Sequence, residues 1–366
     1  MRRSVLTLMI VSVAACTGTT GDTTIGSPTT TNLPAVTTST SLAPTTTEVT
    51  TPETTTTATT VPAAVAPEEL VLESFPVPSG AGPHDVAPAL DGGVWYTAQD
   101  SGELGWLDPT TGETRHTALG PGSRPHGVIV DDAGTAWITD GGLNAIVAVD
   151  PSSLEVTSYP LPDDRPDANL NTASFDGEGI LWFTGQSGIY GSLDPTTGEM
   201  VVFDAPEGRG PYGITTTPGG DVYYASLAAS FVGAINDDGS TTVLEPPTPD
   251  QGARRVWSDS EGRIWVSEWN SGNLSRLTPE TGTWDTWPLP GDGPQTYAVF
   301  VNDRDIVWTS DFGSNSMVRF DPATEQFTNY PLPNNPGEVR QILGRPGEVW
   351  FPESAADSLV LIRTSG

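Results

Sequence analysis

The chain has 366 residues, enough for one or two domains and a sizeable core. It carries 46 acidic against 15 basic side chains, a formal net charge of −31. That balance excludes nucleic-acid binding, because phosphate recognition needs basic patches, and is read as solubility in the protein's surroundings rather than as mechanism.

Residues 1–16 read MRRSVLTLMIVSVAAC, with a basic start at Arg2 and Arg3, an apolar run and a small-residue ending. This is an export signal over 1–15, too short to span a membrane as a stable helix. The VAAC ending resembles the lipobox of bacterial lipoproteins. That resemblance implies lipidation of Cys16, the single cysteine of the chain, and a location at the outer face of the cell membrane. Two or three acyl chains hold a protein there stably where one does not. The lipid is then the only membrane contact. With Cys16 modified no disulfide can form, so the exported domain depends on packing. Residues 16–67 are mostly Thr with Pro, Ala and Ser, cannot bury a core, and are expected to form a disordered stalk.

From residue 68 the chain repeats. An aromatic residue inside an apolar strand recurs at Trp95, Trp137, Trp182, Tyr223, Trp265, Trp308 and Trp350, at gaps of 42, 45, 41, 42, 43 and 42 residues. Copies end in a second mark, as in Tyr159-Pro-Leu-Pro, Trp287-Pro-Leu-Pro and Tyr330-Pro-Leu-Pro, and carry turns of one type such as DPTTGE and DPSSLE. Each unit divides into four short strands; in the second copy they are HGVIVDD, TAWITDG, AIVAVDP and EVTSYPLP. A period near 42 with four strands per copy predicts an all-β, seven-bladed β-propeller over 68–366. The last unit stops at its third strand, Ser358 to Arg363, and its missing fourth strand stands ahead of the first unit near Leu70 to Pro78. That strand is expected to complete the last blade and remove two sheet edges. The repeated aromatic is expected to pack between blades, and nothing requires more than a monomer.

The first strand of a propeller blade is innermost, and its start lies at the mouth of the central channel. The position eleven residues before the aromatic reads His84, His126, Asn171, Tyr212, Arg254, Tyr297, Val339 around the ring. The position three after it reads Ala98, Asp140, Gly185, Ser226, Glu268, Asp311, Glu353. If both face one mouth, the pocket holds two imidazoles, two phenols, a guanidinium and four carboxylates. Imidazole is the side chain best suited to proton transfer near neutral pH. His84, His126 and Asp140 are therefore the candidate catalytic group, with His126 as general acid or base, His84 as its partner and Asp140 raising and orienting the imidazole. Arg124, Asn171, Tyr212, Arg254, Glu268, Tyr297, Asp311 and Glu353 are the candidate ligand contacts. A histidine that merely starts a strand and caps a carbonyl is the plainer alternative. His116, in a fourth strand, is expected at the surface.

The segment PHGV at 125–128, followed by AWITD, NAI, VDP and YPLP through 162, and its echo RRVW, GRIWVSEWNSGNLSRLTP and WPLP across 253–290, resembles the streptogramin lyases, the virginiamycin B lyase family. The resemblance covers all seven repeats. It implies a seven-bladed propeller that opens a cyclic depsipeptide by breaking an ester C–O bond through elimination. It also implies a magnesium ion polarising the ester carbonyl, and histidines and acids on two neighbouring blades managing the protons. In linear register the two family histidines fall on Tyr212 and Arg254, the earlier acid on Gly252, and only the later acid matches, at Glu268. In a register rotated around the ring, His84 and His126 take the histidine places, Asp140 takes the later acid, and Arg124 stands where the earlier acid would be. Neither register is complete, and an arginine there opposes a metal.

The sequence thus leaves open three readings: a carbon–oxygen lyase; a non-catalytic propeller that binds a sugar, peptide or cell-wall ligand at the channel mouth; and a protein-interaction scaffold.

Overall fold

Short apolar runs cut by Gly, Asn and Asp turns leave no stretch for a long helix, and the chain folds accordingly. The structure, a computed structural model, describes residues 70–364. The export signal, Cys16 and the stalk lie outside the described residues. Within the described residues the strands form seven four-stranded antiparallel sheets, six of them sequential meanders and the seventh completed by the first strand, plus one 3₁₀ turn at Ser354–Ala356. No described helix is long and apolar enough to cross a membrane. The expected seven-bladed all-β propeller is what forms.

The innermost strands of blades one to seven are Pro83–Pro88, Pro125–Val130, Leu170–Phe175, Pro211–Thr216, Ala253–Ser258, Thr296–Val301 and Leu343–Arg345. The ring closes as the sequence implies. Leu72–Pro76 pairs antiparallel with Ser358–Arg363, from Leu72 opposite Ile362 to Pro76 opposite Ser358. Glu73 adds an ion pair to Arg363 at 2.9 Å. Both edges that the terminal strands would otherwise expose are paired.

The repeated aromatics join blades. Trp95 clusters with Val128 and Ile138 of blade two, and Trp137 with Leu170 and Phe183 of blade three. Trp265 clusters with Val299 and Val318 of blade six, and Trp350 with Val86 and Tyr96 of blade one. Trp137, Trp182 and Trp265 also donate their indole N–H to an aspartate six residues earlier, at 2.8–2.9 Å. Truncating such a residue to alanine typically costs about 3–5 kcal/mol.

A second repeated feature sets up the channel. In blades one to six the first strand shifts register just inside its start, for example between Pro83 and Val86, Leu170 and Ala173, and Ala253 and Val256. A bulge of this kind re-aims side chains and leaves a backbone N–H without its ladder partner. A hydroxyl two residues after the repeated aromatic takes that N–H. Asp85 donates to Thr97, Gly127 to Thr139, Arg255 to Ser267 and Ala298 to Ser310, at 2.9–3.0 Å. The same hydroxyls, and Thr184 of blade three, which accepts from Thr172 N–H at 3.4 Å, donate onward to a carbonyl of the next blade: Thr97 to His126, Thr139 to Asn171, Thr184 to Tyr212, Ser267 to Tyr297 and Ser310 to Val339. One side chain therefore satisfies the bulge and stitches two blades. Blade four has Ala225 at this position and blade seven Pro352.

Candidate functional site at the channel mouth

The bulge decides which side chains meet at the mouth. Strict alternation would turn successive residues to opposite faces, yet the bulge brings both His84 and Asp85 inward. His84 Nδ1 lies 2.7 Å from Asp85 Oδ1. The carboxylate accepts the Nδ1 proton, so the lone pair of the neutral His84 ring is on Nε2. Asp85 Oδ1 also accepts from Arg255 Nη2, 3.2 Å away on blade five, an ion pair that crosses the channel.

His126, on blade two, packs on His84 with ring centroids 3.8 Å apart. A chain of hydrogen bonds fixes its tautomer. Arg255 Nη1 donates to Thr172 Oγ1 at 2.5 Å, Thr172 donates to Asn171 Oδ1 at 2.7 Å, and Asn171 Nδ2 is 3.1 Å from His126 Nε2. Nε2 therefore accepts, and the proton of the neutral ring is on Nδ1, where it is buried without a partner. The two imidazoles, tilted by 45°, thus offer opposite functions, an acceptor on His84 and a donor on His126.

Across the mouth stand two phenols and a guanidinium. Tyr212 and Tyr297 share a hydroxyl–hydroxyl bond, and Arg254 Nη2 donates to the Tyr212 hydroxyl at 3.3 Å. The Arg254 guanidinium stacks on three rings, 3.5 Å from the Tyr297 centroid, 4.6 Å from Trp269 and 4.8 Å from Tyr212. Tyr212 meets His126 edge to face at 6.2 Å, which joins the two halves.

The electrostatics follow from burial and from the arginines. His84 and His126 are 4% and 8% exposed. Burial pushes the pKa of His84 well below its ordinary value, and Arg255, Arg340 and Arg254 add to the effect. Burial does the same for His126, then the charge of His84, with Asp85 opposing. Both rings are neutral at neutral pH. Burial raises the Asp85 carboxyl, against the pull of Arg255. Burial opposes ionisation of Tyr212, but Arg254, then Arg255 and the Tyr297 hydrogen bond outweigh it and lower its pKa.

The structure therefore gathers His84, His126, Asn171, Tyr212, Arg254 and Tyr297. Val339 precedes the short first strand of blade seven and adds no polar group. The acids do not join them. The Asp140 carboxylate accepts from the Ser123 hydroxyl and from the backbone N–H of Arg124, Gly142 and Leu143 at 2.5–2.9 Å. Glu268 is held by Ser271, Asn273 and Ser275; Asp311 by Gln295, Gly313 and Ser314; Glu353 by Asn334 and Ser358. Each carboxylate ties its own hairpin or an adjoining segment, because the end of a second strand meets a turn rich in unpaired N–H groups. The roles expected of Asp140 are corrected accordingly: Asp85 orients the imidazole at His84, and the pKa of His126 moves down rather than up. Arg124 is exposed on the loop that leads into blade two. His116 is half-buried, bonded to the Tyr96 hydroxyl and to Glu103, rather than free at the surface.

Asp85, Thr172, Arg255 and Trp269 were not singled out from sequence. The first three each follow a mouth position by one residue, where the bulge turns a nominally outward residue inward.

The residues do not fit magnesium. Among the described residues His84, Asp85 and His126 form a possible metal-ligating group, with one donor atom each within 4.8 Å of the others. Magnesium demands near-octahedral oxygen ligation. This group offers two nitrogens and one carboxylate already bonded to an imidazole and a guanidinium, and the charge of Arg255 opposes a cation. Glu268, at the place of the family's later acid, is fully buried and its oxygens are occupied.

Comparison with known proteins agrees with this architecture. Residues 114–366 match the model of the virginiamycin B lyase family. A virginiamycin B lyase from Nocardia farcinica is 28% identical over 223 residues, which span 60% of this chain and 74% of that one. A streptogramin B lyase structure superposes with a TM-score of 0.74 at 23% identity, covering 81% of this chain and 98% of the other. A virginiamycin B lyase from Staphylococcus aureus superposes with a TM-score of 0.75 at 19% identity, covering 81% and 100%.

Proposed function

This chain belongs to the virginiamycin B lyase family, and we propose that it keeps that family's reaction class, eliminative C–O cleavage of a cyclic ester or depsipeptide, at a site on its early blades. The observation that carries the reading is the close-packed pair of neutral imidazoles, both protonated on Nδ1 but with opposite free atoms, His84 oriented by Asp85 and His126 by Asn171.

His84 Nε2 takes the proton from the carbon next to the one that bears the ester oxygen. The released electron pair forms a C=C bond, the C–O bond breaks, and the oxygen leaves as part of a carboxylate. His126 Nδ1–H donates a hydrogen bond to the ester carbonyl as charge builds there, and Arg254 receives the carboxylate as a charge-assisted partner. No water is added, so the product has the mass of the substrate. The lowered pKa keeps His84 unprotonated at neutral pH, and its proton then passes to solvent.

A second reading is favoured by Arg254. Its guanidinium lies over three aromatic rings and forms no carboxylate ion pair among the described residues. That arrangement suits retention of a peptide, sugar or cell-wall fragment without chemistry. In both readings the propeller acts as an exported monomer, held at the outer face of the membrane by lipid on Cys16.

The test is incubation of the protein with a streptogramin B antibiotic, with magnesium and separately with a chelator, followed by chromatography with mass detection. A shifted peak of unchanged mass at equal rates in both conditions supports the proposal. A product heavier by one water contradicts elimination. Saturable binding of intact antibiotic moves the assignment to the second reading.

A further inference from the structure

Below the mouth, on the far side of the Asp85–Arg255–Thr172 bridge, the channel holds a cavity of about 250 Å³. Its wall is mostly apolar and comes from several blades, including Val128, Ala173, Ile214, Val256, Trp257 and Ala298. None of these residues belongs to the proposed lyase site. The cavity is larger than the roughly 150 Å³ that suffices for a benzene molecule in a dry apolar site.

The polar groups on the wall are nearly all engaged. Gln341 exchanges two hydrogen bonds with the backbone of Val86, at 2.9 and 3.1 Å. Ser174 bonds Thr216 at 2.9 Å, and Thr172 and Asp85 bond Arg255. The exception is Arg255 itself. Its side chain is 5% exposed, its two terminal nitrogens are taken, and its Nε–H is buried without a partner. A buried donor left unpaired costs about 1–3 kcal/mol, which an acceptor brought by a ligand would recover.

The charges narrow the ligand. Asp85 already matches the charge of Arg255, so an anion gains little at the inner end. On the outer side the cavity shares Ser174, Phe175 and Trp257 with an open recess lined by Asp176, Asp303 and Asp305, which repels anions. We propose that the lower channel is a second binding site, for a neutral small molecule made of one aromatic or branched apolar group bearing a carbonyl, with that oxygen accepting from Arg255 Nε.

Acetophenone is a suitable probe, with toluene and benzoate as controls, titrated calorimetrically into the full-length protein. The expected result is saturation at one equivalent of acetophenone, with toluene weaker by about tenfold for want of the acceptor and benzoate not binding. Ala298→Leu and Val128→Phe, on different blades, fill the cavity while leaving Arg255 intact, and each should abolish binding. Absence of saturable acetophenone binding to the unmodified protein overturns the proposal. So does benzoate binding as tightly as acetophenone, or unchanged binding by both variants when circular dichroism shows them folded. None of these readouts depends on lyase activity, so failure of the one assignment is separable from failure of the other.

Discussion

Two rings of polar residues stand at the same rim of this propeller, and they have opposite fates. The inner ring, at the starts of the first strands, reaches across the channel: Arg255 of blade five meets Asp85 of blade one and Thr172 of blade three. It leaves reactive atoms unsatisfied, among them His126 Nδ1 and Arg254 Nε. The outer ring, Asp140, Glu268, Asp311 and Glu353, bonds locally, and its oxygens are saturated by turns. Residue type does not separate the two rings, since both are polar and buried. Partner sets do. A buried polar group whose partners are all local holds structure, whereas one with an open donor or acceptor at a concave mouth is equipped for a ligand.

Substitutions should divide along this line. His84→Ala removes the proposed base and should cut turnover by about 10²–10⁴-fold with the fold intact, as judged by product formation per folded molecule. Arg255→Met strands Asp85 as a buried unpaired charge and should cost about 3–5 kcal/mol in denaturant unfolding. Asp140→Asn should instead lower stability by about 1–3 kcal/mol and leave turnover per folded molecule unchanged. Equal loss of turnover in His84→Ala and Asp140→Asn would erase the distinction between the rings. Thr139→Val removes one inter-blade stitch and should cost about 1 kcal/mol.

Protons provide a further contrast. The folded pKa of both mouth histidines is depressed, so below about pH 6.5 the unfolded chain binds protons that the folded one refuses. Stability should be flat above that pH and fall as pH drops through it, by up to about 1.4 kcal/mol per pH unit for each histidine until its folded pKa is reached. Urea midpoints between pH 8 and 5 measure the slope, and His126→Gln should reduce it. A slope of the opposite sign would mean that the rings are charged in the folded state.

Much of the fold was legible because the repeat is written in large side chains. Seven aromatics at a near-constant spacing fixed blade number, and the orphan strand before His84 foretold ring closure. The mouth position was also legible, since His84, His126, Tyr212 and Arg254 occupy equivalent places. What escaped was local. A bulge inserts no diagnostic residue, so Asp85 and Arg255 read as outward-facing neighbours of the mouth. The acids looked like site residues because spacing assigns a strand end without saying which turn N–H groups wait there.

The most direct test is long-range proton–nitrogen correlation NMR of the imidazoles at pH 7. The chain has only three histidines, so His84→Gln and His126→Gln assign the signals. The prediction is two neutral rings at the mouth, each protonated on Nδ1, with His84 Nε2 open as acceptor and His126 Nδ1–H as donor. An imidazolium at either position, or a proton on His84 Nε2, would contradict the assignment of the site.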